Sequence, residues 1–295
     1  MKQFNCFNTI SVIDAAEFII NDLPWQNVGV LVISQSGETK DLHLAMESVK
    51  TKNIIIIGIV NSVGSLISRE SDCGIYLNAG REVAVASTKA FTSQVVVLML
   101  ITLWFSQNKN HTFRMRHEKM IIDIRYLSIN IEKVIKNFDY IITNDLIQYI
   151  TKQKSIFILG RGTAYPIACE AALKIKEIAY IHAEGYAGGA LKHGPFALIE
   201  KGMVIILIIL DDENKDRMKS ACEEVKSRGA YTVIITDIEN YKEDCIDYVI
   251  NIPNNGYLTS LLGIVPIQYL AYKIALAKGH NPDFPKNLSK TVTVL

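Results

Sequence analysis

Six short runs of β-branched and aliphatic residues recur along the chain: Val28 to Ile33, Ile54 to Val60, Ser155 to Leu159, Val204 to Leu210, Tyr231 to Ile235 and Tyr248 to Ile252. Segments long enough for helices separate them. Runs such as Ile54 to Ile57 show no polar alternation, which is the mark of strands covered on both faces, and their alternation with helices is the pattern of βαβ units. The expected fold class is therefore α/β, with parallel sheets flanked by helices. At 295 residues the chain exceeds the roughly 100 to 150 residues of a typical domain. The polar stretch Gln107 to His117, with the helical segment after it, divides the runs into two groups. We expect a first lobe over 1–106, a helical connector over 107–139, a second lobe over 140–278 and a C-terminal tail over 279–295. The lobes share their order of elements but not a close sequence.

The first run leads directly into Ser34-Gln35-Ser36-Gly37-Glu38-Thr39. Ligands of open α/β sheets lie at the carboxyl ends of the strands, where the next helix offers free N–H groups and the positive end of its dipole. Three hydroxyls and an amide in six residues suit an anion, and a phosphate can be surrounded here without a lysine or a metal. The competing reading is an ordinary helix cap, with Ser34 or Ser36 capping and Glu38 completing a capping box.

In the second half, Gly160-Arg161-Gly162-Thr163 follows a strand and precedes a helix predicted over Ala164 to Tyr180, which makes a second anion or sugar site. Glu170, Lys174 and Glu177 fall at spacings of four and three and share one helix face. On an exposed helix such a face is a salt-bridge ladder. The flanking Ala171, Ala172, Leu173, Ile175 and Ile178 instead point it into a cleft, where an apolar wall raises a carboxyl pKa and suits it to proton transfer near neutral pH. His193 lies between glycines in Gly188-Gly189-Ala190-Leu191-Lys192-His193-Gly194-Pro195, so its backbone can bring the imidazole close to a ligand. The tail carries Lys286 and Lys290 among Leu288, Val292, Val294 and Leu295. An amine held in a partly apolar place can form an imine with a carbonyl sugar.

Composition narrows the partners. The 31 basic and 30 acidic side chains nearly cancel, so no net field favours nucleic acid or an anionic membrane. Cys6, Cys73, Cys169, Cys222 and Cys245 are scattered and show no Cys-X-X-Cys spacing, which points to reduced thiols in a cytoplasmic setting and to no zinc site. The reading calls for no metal and no cofactor. The longest apolar run, Val95 to Phe105 with Thr102 inside it, is about half of the ~20 residues that span a bilayer and reads as a buried helix.

Taken together, SQSGET at 34–39, ISRESD at 67–72, NAG and VASTKAFTSQ between 78 and 94, GRG at 160–162, EAALKIKEIAYIHAEG at 170–185, LKHGP at 191–195 and PKNLSKTVTV at 285–294 resemble one family. It is the isomerase half of the glutamine-fructose-6-phosphate amidotransferases (glucosamine-6-phosphate synthases), built of two sugar-isomerase (SIS) folds. The resemblance runs from about Val12 to Val294. It implies that Ser34, Gln35, Ser36 and Thr39 hold a sugar phosphate and that Val85 and Ser87 line the sugar site. Glu177 would move a proton between carbons 1 and 2 with Lys174 assisting, and His193 would open the fructose ring from the partner subunit of a homodimer. Lys290 would form the imine with the ketose, while Ser289 touches the sugar through its backbone. The implied ligands are fructose 6-phosphate and glucosamine 6-phosphate, in amino-sugar supply.

The sequence departs from the family pattern in several ways. Nothing in it corresponds to the family's N-terminal glutaminase domain, so ammonia is expected from a separate domain or chain. It also begins after the first strand of the first SIS fold. Ala190 stands where the family has glutamate, Lys286 where it has arginine and Leu295 where it has glutamate. Two other readings compete: a phosphosugar aldose–ketose isomerase without amination, and a sugar-phosphate-binding module without catalysis. A dinucleotide site ranks below both, because Gly160-Arg161-Gly162 lacks the third glycine of that fingerprint.

Overall fold

The structure, a computed structural model, describes residues 1–24, 26–109 and 114–289. The chain forms two compact units. One comprises Met1–His117 and the described residues from Asn287 on, and the other is Glu118–Lys286.

In the first unit, β1 (Gly29–Ser34), α1 (Lys40–Lys50), β2 (Ile55–Val60), α2 (Leu66–Glu70), β3 (Cys73–Tyr76) and α3 (Lys89–Lys109) alternate along the chain. The strands form a parallel sheet in the order β1-β2-β3, with Gly29 opposite Ile55 and Ile57 opposite Cys73. Because side chains alternate across a strand, Val32, Ile56 and Val60 pack with Met46 and Val49 of α1 and Ile67 of α2. Ile59 faces the other way and packs with Leu77 and with Val97 and Ile101 of α3. That gives three layers with the sheet in the middle. By length and composition α3 is long and apolar enough to cross a membrane, as is the helical stretch Gly256–Ala277 of the second unit. It buries one face only, since Trp104 remains 60% exposed while Ile101 is covered.

The helix α4 (Arg114–Lys136) begins in the first unit and continues in the second, followed by α5 (Phe138–Ile141) and α6 (Asn144–Thr151). Then come β4 (Ser155–Gly160), α7 (Ala164–Lys174), β5 (His182–Ala187), β6 (Val204–Ile208), α8 (Lys215–Lys226), β7 (Tyr231–Thr236), β8 (Tyr248–Asn251), α9 (Thr259–Leu262) and α10 (Ile264–Ala277). The sheet is parallel, in the order β5-β4-β6-β7-β8. Phe157, Leu159, Ile205, Leu207 and Ile234 pack against Met218, Cys222 and Val225 of α8. The helices α7 and α10 pack together, with α7 on β4 and β5. The connections from β4 and β6 leave in opposite directions, so the second sheet has its topological switch point there, beside the 160–163 loop.

Two strands were not evident in the sequence. The strand β3 is short and exposed along its whole length, and β5, with the sequence HAEGYA, is a half-polar strand at the sheet edge. Neither has the continuous apolar run of a strand covered on both faces. Gly185 explains how β5 accepts α7, because a Cβ there would press on the Cys169 backbone.

Candidate active site

The 34–39 run is a self-bonded loop at the carboxyl end of β1. The Gly37 N–H donates to Ser34 Oγ at 3.0 Å, and Ser34 Oγ and Thr39 Oγ1 share a hydrogen bond at 2.9 Å. Ser36 Oγ accepts the Glu38 N–H at 3.2 Å. The ordinary-cap reading does not describe this geometry: α1 begins after Thr39 with no side chain capping it. The Glu38 carboxylate instead accepts the Leu66 N–H at 2.9 Å, and Gly37 O accepts the Ile67 N–H at 3.0 Å. The loop is thus fastened to the start of α2, and the first N–H groups of α1 stay available.

Gly37 is the pivot. Its φ is +70°, a region that L-residues rarely adopt, and a Cβ would overlap the buried Ser65 hydroxyl. The left-handed conformation alone costs a non-glycine residue about 1 to 2 kcal/mol. Gly37→Ala is therefore expected to weaken binding of a sugar phosphate at least about tenfold, read by calorimetry. Adding Ser65→Gly removes the overlap and recovers part of the loss. Unchanged affinity in Gly37→Ala would disprove the role of this loop.

Two residues that sequence reasoning passed over organise the neighbouring loop. The Asn61 N–H donates to Gln35 O at 3.3 Å, while its side chain donates to Gly80 O at 2.8 Å and accepts from the Ala79 N–H at 3.0 Å. Asn61, directly after the central strand β2, therefore ties the 34–39 loop to the loop after β3. Within that second loop the Glu82 carboxylate, 8% exposed, accepts the Ser87 O–H at 2.9 Å and the Thr88 N–H at 2.7 Å. Ser34, Gln35, Ser36, Thr39, Val85 and Ser87 all belong to the first unit, on the stretches that leave the carboxyl ends of β1 and β3, the two strands that flank β2.

In the second unit Lys174 is 3% exposed. Its Nζ lies 2.6 Å from Glu177 Oε2 and 3.4 Å from Glu170 Oε1, so the three charges expected to share a face do meet. The approach to Glu177 is an ion pair rather than an aligned hydrogen bond, and Glu177 Oε2 is buried with no other partner among the described residues. Burial pushes the Glu170 carboxyl above its ordinary range, a rise opposed by Lys174 and reinforced by Glu177. The predicted helix differs at its end. After Lys174 the chain widens into a π-helical turn, Ile175–Ala179, and stops at Tyr180 with φ of 52°. Such turns recur at functional sites, and Glu177 sits within this one.

The end of that turn receives the start of the tail. The Lys286 N–H donates to Tyr180 Oη at 2.7 Å, the Lys286 ammonium lies 4.6 Å from the Tyr180 ring centre, and Lys278 Nζ donates to Ala179 O at 3.0 Å. The start of the 285–290 segment is thereby brought beside the element that carries Glu177. Ser289 is exposed. Lys290, Val292, Val294 and Leu295 lie outside the described residues. His193 ends a short 3-10 turn, is exposed, and forms no hydrogen bond or ion pair with Lys174 or Glu177 among the described residues. Also among the described residues, no group of His, Cys, Asp or Glu could hold a metal ion. A cavity of about 350 Å³ opens at the ends of β7 and β8, lined by Asp237, Glu239, Asn240 and Asn251, and none of the expected site residues lines it.

The two parallel sheets, each with its loops at the strand ends, define the class. The SIS-domain family model matches residues 12–103 and again 149–252, and the chain belongs to that family. Over its full length it is 42% identical to a probable isomerizing glutamine–fructose-6-phosphate aminotransferase of Acanthamoeba polyphaga mimivirus, covering 48% of that protein. It is 38% identical to isomerizing glutamine–fructose-6-phosphate aminotransferase 2 of Homo sapiens, over 95% of this chain and 41% of that one. The chain thus spans a little under half the length of these curated relatives. Among solved structures, the C-terminal domain of glucosamine-fructose-6-phosphate aminotransferase from Francisella tularensis superposes with a TM-score of 0.82 at 34% identity, over 88% of this chain and 75% of that one.

Proposed function

We propose that this chain converts fructose 6-phosphate towards glucosamine 6-phosphate, using ammonia from another domain or chain, and that it works as a cytoplasmic homodimer. The observation that carries the proposal is the Glu170–Lys174–Glu177 cluster, a buried lysine between two half-buried carboxylates, which forms an acid–base group on an element to which the tail docks. The names of the relatives support the substrate and the reaction.

In this reading Ser34, Gln35, Ser36 and Thr39 hold the phosphate, and Val85, Ser87 and Ser289 line the sugar. His193 of the partner subunit helps to open the fructose ring. The Lys290 amine adds to the C2 ketone with loss of water, and ammonia then displaces the lysine. Glu177 takes a proton from carbon 1 and returns it to carbon 2, leaving an aldehyde at carbon 1 and an amine on carbon 2. Lys174 holds the Glu177 carboxylate in place while it does so.

The test is an amino-sugar assay of the purified chain with fructose 6-phosphate and high ammonium, beside Lys290→Ala. Glucosamine 6-phosphate formed by the parent and lost in the variant is the expected result. No amino sugar from a folded parent, even with a glutaminase partner added, would end the proposal, and glucose 6-phosphate as the sole product would replace it with simple isomerisation.

A further inference from the structure

Two helix ends meet beside the turn that carries Glu177. The π-helical turn Ile175–Ala179 stops at Tyr180, and α10 stops at Lys278. Gly279 follows with a φ of +74°, the His280 N–H donates back to Ala275 O at 2.9 Å, and the Gly279 N–H donates to Leu276 O at 2.9 Å. This glycine-turned end fixes where Lys278 sits. From there Lys278 Nζ donates to Ala179 O at 3.0 Å, the last carbonyl of the turn and one that a helix end leaves without a partner of its own.

Lys278 is half-buried, and burial lowers its pKa below the ordinary lysine range with no carboxylate opposing the shift. Among the described residues the ammonium has no ion pair. It lies instead at the negative end of α10 and on the terminal carbonyl of the turn, where a cation is favoured. A neutral side chain would avoid the desolvation, so the hold on Ala179 O is what the charge contributes.

The residues after Lys278 close on the same place. Tyr180 has a φ of 52°, a conformation that costs any residue but glycine and is kept only by its surroundings. The His280 ring centre lies 4.5 Å from that of Tyr180, the Lys286 N–H donates to Tyr180 Oη at 2.7 Å, and the Lys286 ammonium lies 4.6 Å from the ring centre. Glu177 is thus held from both ends of its turn, by Lys174 Nζ at 2.6 Å before it and by the 278–286 segment on Ala179 and Tyr180 after it.

We infer that Lys278 is a positioning residue for the reaction: by holding Ala179 O it keeps the π-helical turn wide, and so keeps the Glu177 carboxylate where it transfers the proton. The inference rests on the proposal that Glu177 moves a proton between carbons 1 and 2, and it adds the residue that fixes the element carrying it. Lys278 acts through the turn.

The test is the steady-state kinetics of amino-sugar formation from fructose 6-phosphate and ammonium. Lys278→Met removes the N–H donors, and kcat should fall about 10- to 100-fold, the effect of a slightly misplaced reacting group, while KM for fructose 6-phosphate stays within about twofold. Lys278→Arg, which can still donate to the carbonyl, should recover most of kcat. Adding Lys278→Met to Glu177→Gln should lower the rate little further, because both changes act on one proton transfer. A merely structural lysine would lower the melting temperature, leave kcat of the folded variant within about twofold of the parent, and add its effect in full to that of Glu177→Gln, which would overturn the inference while Glu177 keeps its role. If Lys278→Met does not fold, Lys278→Gln, one atom shorter and uncharged, is judged by the same split between kcat and KM. A folded parent that forms no amino sugar would instead remove the assignment of Glu177, and this inference with it.

Discussion

Glu177→Gln is expected to lower the rate of glucosamine 6-phosphate formation about 10²- to 10⁴-fold, the usual contribution of a positioned general acid–base group, with little change in the apparent affinity for fructose 6-phosphate. The amide matches the carboxylate in shape but cannot carry the proton between carbons 1 and 2. Its neighbours tolerate the change, because Lys174 keeps Glu170 at 3.4 Å as a counter-charge. The readout that separates chemistry from folding is solvent exchange. In deuterated water the parent should wash label into the carbon-bound positions of the sugar, and the variant should not, while both melt at similar temperatures. A variant that retains kcat within about tenfold and still exchanges would show that another group shuttles the proton.

Lys174→Met should act mainly on stability. The substitution leaves Glu170 and Glu177 facing each other with their shared cation gone, and breaking a buried pair costs about 3 to 5 kcal/mol. Both carboxylates keep some solvent, at 16% and 18% side-chain exposure, so the lower end applies. For a unit of this size a loss of about 3 kcal/mol lowers the melting temperature by roughly 6 to 12 °C. The pH dependence has a definite sign. The folded state raises the Glu170 carboxyl above its ordinary 4.5, chiefly by burial, and the Lys174 ammonium opposes the rise. A carboxyl raised in this way contributes stability that is fully present below pH 4.5 and lost as pH rises through its folded value. Without the ammonium the folded value climbs further, so the penalty should be small near pH 4.5 and grow towards neutrality. Adding Glu170→Gln should restore most of the lost stability at about pH 7. A melting-temperature difference that does not vary with pH would contradict this account.

The α/β class was open to reading in the chain because strands covered on both faces must be apolar at every position. Runs such as Val204 to Ile208, buried throughout in the structure, declare themselves without any partner. The same holds for residues close together on one element. The spacings of Glu170, Lys174 and Glu177 bring three charges to one helix face, and the crowding of hydroxyls at 34–39 marks a polar strand end. Groups whose meaning depends on something distant in the chain were silent. Asn61 is a single polar residue in a loop until the fold brings Gln35 and Gly80 onto it, and Glu82, though its partners Ser87 and Thr88 are near in sequence, meets them only through the turn that its loop takes. The need for glycine at 37 comes from Ser65, a residue of a different loop. The edge strand β5 carries no apolar run, because only one of its sides has a neighbouring strand. The π-helical turn at Ile175–Ala179 leaves no mark in composition, since one widened turn changes where side chains point and not which ones are present. Periodicity and local chemistry follow from neighbours along the chain, whereas hydrogen-bond polarity, steric fit and helix widening follow from neighbours in space.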